Sequence, residues 1–197
     1  MRPRIPILLP SLAGLALLAF ASSANAQDAD PLAAVGQASA DAIRSSTGAD
    51  VALVAAGLFK DKGKLDQGNL AGNLLFPTDE ILLLELSGAQ LRRAFERSLL
   101  LYPQPNDAAF LYFSGGTVSF NGKAVSGARV TGVTLDAGFD ANRKYKVATT
   151  ASLAKGALGY FKVWDEKNIV GKASVTIESV LRGKRASGGA LRWVSQG

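Results

Sequence analysis

Apolar positions along the chain switch between a helical period and a strand period. Leu32, Val35, Ala40 and Ile43 recur at helical spacing behind Asp30-Pro31, predicting a helix over residues 30–46 that Gly48 ends. Residues 49–56 (ADVALVAA) are almost continuously apolar, the pattern of a strand covered on both faces. A polar connection over 57–68 carries Lys60, Lys62 and Lys64; a short helix is predicted over 69–75, and Pro77 breaks it. Residues 80–86 (EILLLEL) read as a second strand. Ser87 and Gln90 then have the spacing of a capping box, opening a helix to about Leu101 with Leu91, Ala94, Phe95, Ser98 and Leu99 on one face. Pro103 and Pro105 stop it.

From Phe110 the period falls to two. Strands are predicted over 110–113, 117–120, 128–135 and 144–149, with Asn121-Gly122 placed as a tight hairpin turn between two of them. A helical turn over 151–155 precedes the glycine-bearing loop 156–160. A last helix over 176–182 and an edge strand over 191–194 complete the order. The succession α-β-α-β-α-β-β-β-β-α predicts one α/β to α+β domain, a mixed β-sheet flanked by helices.

The N-terminus reads differently. Arg2 and Arg4 precede an apolar run strongest over 11–20, and Ala24-Asn25-Ala26 supplies the small-x-small pattern of a cleavage site. Residues 1–26 are therefore expected to be a secretory signal peptide, with 27–197 a single domain whose core spans about 31–185. Export follows, to the periplasm or the medium, with no membrane span left after cleavage.

Composition removes whole chemistries. The 197 residues include no Cys and no His, so disulfides, thiol nucleophiles, Ser–His triads and His-ligated metals are excluded. The charge of +6 comes from scattered Lys and Arg rather than a block, which does not indicate a nucleic-acid function. An apolar content of 48% suits a packed core.

Four stretches, residues 47–60, 75–99, 110–116 and 130–160, resemble in order and spacing the C-terminal domain of the 5′-nucleotidase / UDP-sugar hydrolase family. The resemblance implies that fold. It also implies a division of labour: an N-terminal metallophosphoesterase domain holds two metals and hydrolyses, while the C-terminal domain holds the base and sugar of the substrate. This sequence has the second module directly after its leader and no histidine for the first, so it is expected not to hydrolyse phosphoesters alone.

The family's binding positions, carried over residue by residue, are much altered. The Asn-Ala-Gly-Gly-Ile-Arg loop reads here as residues 55–60, keeping Gly57 and putting Lys60 in place of the arginine. The Pro-Phe-x-Asn motif reads Pro77-Thr78-Asp79-Glu80, with Thr78 for the stacking phenylalanine and Glu80 for the asparagine; Phe76 stands two residues early. The serine–glycine turn persists at Ser114-Gly115. Ser152 takes the second aromatic position, and Gly-Gly-Asp-Gly-Tyr becomes Gly156-Ala157-Leu158-Gly159-Tyr160. Glycines and framework stay while the aromatic pair and its polar partners go. Stacking contributes roughly 1–3 kcal/mol per base in single-stranded nucleic-acid sites, so nucleoside affinity should fall by orders of magnitude.

Several of these residues have plainer readings. Lys60, Lys62 and Lys64 form an anion site or a solvated turn; Asp79, Glu80 and Glu85 are paired carboxylates for acid–base work or, since Glu80 and Glu85 face opposite sides of a strand, surface charge. Loop 156–160 cradles a phosphate or is a turn kept for its backbone. Tyr160, Phe161 and Trp164 form a ligand platform or core packing, and Arg92, Arg93 and Arg97 touch a membrane or line a solvated face. The expectation is an exported, non-catalytic binding or accessory module. A separate metallophosphoesterase chain is its expected partner, and no cofactor, metal ligand or catalytic residue is expected. The alternative is a protein that binds another anionic small molecule through Lys60 and loop 156–160; metal-assisted nucleotide hydrolysis through carboxylates ranks behind both.

Overall fold

The computed structural model describes residues 30–103, 107–187 and 192–196. Residues 1–26, where a leader is expected, lie outside them together with Pro105 and Leu191.

Helix α1 (Pro31–Thr47) starts and stops where its sequence dictates. The Asp30 carboxylate accepts the Leu32 N–H at 3.1 Å, Pro31 fills a first-turn place that needs no donor, and Gly48, at φ 59°, donates its N–H to Arg44 O. Strands β1 (Val51–Ala55), β2 (Glu80–Ser87), β3 (Leu111–Ser114), β6 (Lys144–Thr150) and β7 (Ile169–Thr176) build a five-stranded sheet ordered β3-β1-β6-β2-β7. β1 and β6 are parallel; the other neighbours are antiparallel. A smaller sheet, ordered β5-β4-β8, contains β4 (Gly116–Phe120), β5 (Val130–Leu135) and β8 (Trp193–Ser195).

The apolar run of β1 is explained by cover on both faces. Val51, Leu53 and Ala55 point into a core shared with helix α2 (Gly88–Ser98) and the small sheet. Ala52 and Val54 point into a second core under α1 and helix α4 (Ile177–Leu181). Burying one such Val or Leu contributes roughly 1.5–3 kcal/mol. The α2 capping box forms as its spacing requires: Ser87 Oγ accepts the Gln90 N–H at 3.2 Å, and Gln90 Oε1 accepts the Ser87 N–H at 3.0 Å.

Gly115 is the corner between the sheets. With φ 110° it turns β3 into β4, and a Cβ there would lie 2.2 Å from Asp50 O. β8 closes the small sheet and inserts Trp193 between Phe95, Phe110, Phe113 and Phe120, at centroid distances of 5.4–5.9 Å. Its indole N–H donates to Leu111 O at 2.8 Å.

Three features differ from the sequence reading. β7 has no counterpart there, because its inward positions include Gly171 and Ala173 and so present little apolar contrast. Asn121-Gly122 is not a two-residue hairpin turn: residues 121–129 join β4 to β5, and within that loop φ is positive only at Gly127. Asn121 Oδ1 accepts the Lys123 N–H, and Gly122 lies against Tyr102, where a Cβ would be 2.6 Å from the ring. The helix expected over 69–75 is one short turn, Ala71–Asn73.

Candidate functional site

The parallel strands β1 and β6 end side by side, and a cleft opens just beyond their carboxyl ends, the usual position for ligands in open α/β sheets. β1 runs through Ala55 into the turn at Gly57 and Leu58; β6 runs through Thr150 into the short helix α3 (Ala151–Ala154). The cleft has a volume of about 140 Å³, and its walls are mainly Leu58, Phe76, Leu153, Ala157 and Leu158, with Thr150 and Ser152 the polar members. It opens into a broader depression of about 500 Å³ that shares Phe76 and Ser152 and adds Thr78, Asp79 and Glu80.

The rim is ordered by hydrogen bonds. Ser152 Oγ donates to Asp79 Oδ2 at 2.6 Å, and Asp79 Oδ1 accepts the Glu80 N–H at 3.0 Å. Asp79 O also accepts the N–H of Ile177, the first residue of α4, at 3.1 Å. Glu80 is paired with Lys172 of β7, whereas Asp79 forms no ion pair among the described residues.

Loop 156–160 owes its course to left-handed backbone. Gly156 (φ 88°), Leu158 (φ 58°) and Gly159 (φ 85°) all lie there, and Leu158 is the unusual one, because a side chain in this region costs roughly 1–2 kcal/mol. Arg97 holds the loop from behind, its guanidinium donating to Leu158 O at 2.6 Å and lying 5.8 Å from the centre of the Tyr160 ring. Tyr160 is wholly buried, stacks on Trp164 at 4.9 Å and donates its hydroxyl proton to Ala109 O at 2.7 Å. Burial pushes its ionisation well above the ordinary tyrosine range, against the lowering effect of the Arg97 charge.

The expected positions sort into three groups. Gly57, Thr78, Glu80, Ser152 and Leu158 come together around the cleft and its rim. Gly156, Gly159 and Tyr160 shape the loop behind it, Tyr160 as a core residue rather than a platform. Lys60 and Gly115 do not line the cleft: the Lys60 side chain is exposed, and Gly115 is the inter-sheet corner beyond the opposite end of β1. Phe161, grouped with core packing, is 65% exposed. Phe76 and Asp79 line the site although the sequence reading does not count either among its binding positions. Phe76 stands two places from the family's motif position, yet the turn closed by the Asp79 N–H on Phe76 O brings its ring to the cleft.

Among the described residues no three carboxylates converge, and the sequence offers no His or Cys. Nor, among those residues, is any helix long and apolar enough to cross a membrane.

Comparison with known proteins agrees with the architecture. The family model described as the 5′-nucleotidase C-terminal domain matches residues 15–166. Similar solved structures include a 5′-nucleotidase precursor from Thermus thermophilus (TM-score 0.67, 20% identity) and a putative 5′-nucleotidase from Staphylococcus aureus (0.63, 18%). The NAD nucleotidase of Haemophilus influenzae is a third (0.64, 15%). Each match covers 83% of this chain, which spans 35%, 36% and 33% of their respective lengths. No curated protein sequence matches.

Proposed function

Because the chain belongs to the 5′-nucleotidase C-terminal domain family, we propose that it is an exported, non-catalytic binding or accessory module, working beside a separate metallophosphoesterase chain in nucleotide or phosphoester catabolism. The observation that carries this reading is a cleft on a scaffold that, among the described residues, gathers no group of metal ligands. The cleft beyond β1 and β6 keeps its left-handed loop, while among the described residues no carboxylates converge on a metal position. On this reading the chain supplies shape and contacts, and the bond-breaking electrophile belongs to the partner chain. Export rests on the basic head, apolar run and Ala24-Asn25-Ala26 pattern.

The test has three parts. Edman or mass analysis of the natural protein should place its N-terminus at Gln27. The purified chain should release no phosphate from nucleotides with added divalent metal. Mixed with a separate metallophosphoesterase chain from the same cell, it should co-elute and lower that enzyme's KM. Phosphate release that stays with the chain through purification would overturn the non-catalytic reading, and independent elution with unchanged kinetics would remove the partnership.

A further inference from the structure

We infer that the cleft binds a small organic cation carrying one aromatic ring, the ring between Phe76 and Leu158 and the ammonium group at Asp79. This rests on reading the cleft as the module's binding half, and it specifies a ligand chemistry of its own.

Size and lining set the buried group. The cleft of about 140 Å³, walled by Leu58, Leu153, Leu158 and Phe76, has room for a group about the size of a benzene ring. Its lining is mainly apolar, with Thr150 and Ser152 the side chains that could meet the polar edge of a base. Another wall position is held by Leu158, whose left-handed backbone suits Asn, Asp or Gly better than a branched apolar residue. An apolar group persists there despite the backbone, as a wall would require.

The rim sets the charge. Of its two carboxylates, Glu80 is matched by Lys172, and Asp79 is not matched among the described residues. Asp79 is fixed by Ser152 Oγ and the Glu80 N–H, one bond to each oxygen, so each retains a lone pair for a ligand. Phe76 borders both spaces, so an ammonium group beside Asp79 also meets an aromatic ring, the arrangement that favours organic cations. Lys60, the cation that the anionic-ligand alternative relies on, lines neither space.

The test is a titration of the ¹⁵N-labelled full chain with 2-phenylethylamine, 2-phenylethanol, 3-phenylpropanoate, butylamine and adenosine 5′-monophosphate. The amine should move the Gly57, Phe76, Ser152 and Leu158 amides and bind about tenfold more tightly than the carboxylate, as expected where one partly exposed ion pair forms and one repulsion is avoided. The alcohol should fall between them, and butylamine and the nucleotide should bind more weakly than all three. Asp79→Asn should bring the amine down to the alcohol, and Phe76→Ala, at an exposed position, should weaken every ring compound. Equal binding of amine and carboxylate, tighter binding of the nucleotide, or no shift at these amides would overturn the inference. None of these outcomes depends on a partner chain, so failure here and failure of the partnership are separable.

Discussion

The guanidinium of Arg97 occupies the space that a side chain at Gly159 would take: a Cβ there would lie 2.8 Å from Nη2 and 2.9 Å from Nε. With φ at 85°, Gly159 is required twice over, by backbone and by contact. Gly159→Ala should cost about 1–3 kcal/mol in urea unfolding. Adding Arg97→Ala should cost less than the sum of the two single changes, because the clash disappears and only the backbone strain remains.

Leu158 predicts a trade between stability and binding. Leu158→Asn relieves an unfavourable left-handed backbone at a residue 38% exposed, so stability should hold or rise by up to about 1 kcal/mol. The same change should lower ring binding severalfold. Loss of both together would mark the leucine as an ordinary packing residue.

Alkaline pH should unfold the protein through two tyrosines. Burial raises the ionisation of both Tyr112 and Tyr160 above the range of the free side chain, with Asp30 adding to it at Tyr112. The folded state then holds these protons more tightly than the unfolded state. Their stabilisation is complete below the unfolded value of about 10 and falls above it by about 1.4 kcal/mol per pH unit for each tyrosine. Urea midpoints measured between about pH 9 and 11.5 should show that decline, and Tyr160→Phe should remove one tyrosine's share. A flat profile would count against the burial of both hydroxyls.

Glu96 fastens the start of β5. Its two carboxylate oxygens accept the N–H groups of Arg129, at 3.0 Å, and Val130, at 2.8 Å. Glu96→Ala should cost about 1–3 kcal/mol, because two part-buried donors lose a charged acceptor. Glu96→Gln should cost less, and hydrogen exchange at Val130 should quicken in both.

The centre of the five-stranded sheet is legible in the sequence and its edge is not. β1 and β2 are readable because burial on both faces writes a continuous apolar run, whereas β7 turns Gly171 and Ala173 inward and leaves little trace. Asn121-Gly122 carries the composition of a hairpin turn, but tertiary contact with Tyr102 decides its use. At the cleft, the glycine loop and Ser152 are recognisable from their place in a pattern. Phe76 and Asp79 are not, because their position depends on how the 76–79 turn folds over α3, a relation that spacing along the chain does not encode.

The order β3-β1-β6-β2-β7 has a kinetic side. β6 lies between β1 and β2 although residues 144–150 follow both; β1 can pair earlier with β3, but β2 has neither of its neighbours, β6 and β7, until most of the chain is present. Nothing local competes for them: β1 and β2 do not pair with each other, and no short hairpin joins them. Pairings of this range form slowly, and an apolar strand waiting for its partner is the point most exposed to aggregation. The strand that waits longest is β2, over residues 80–87, so the arrival of β6 and β7 sets when the sheet commits to its native order.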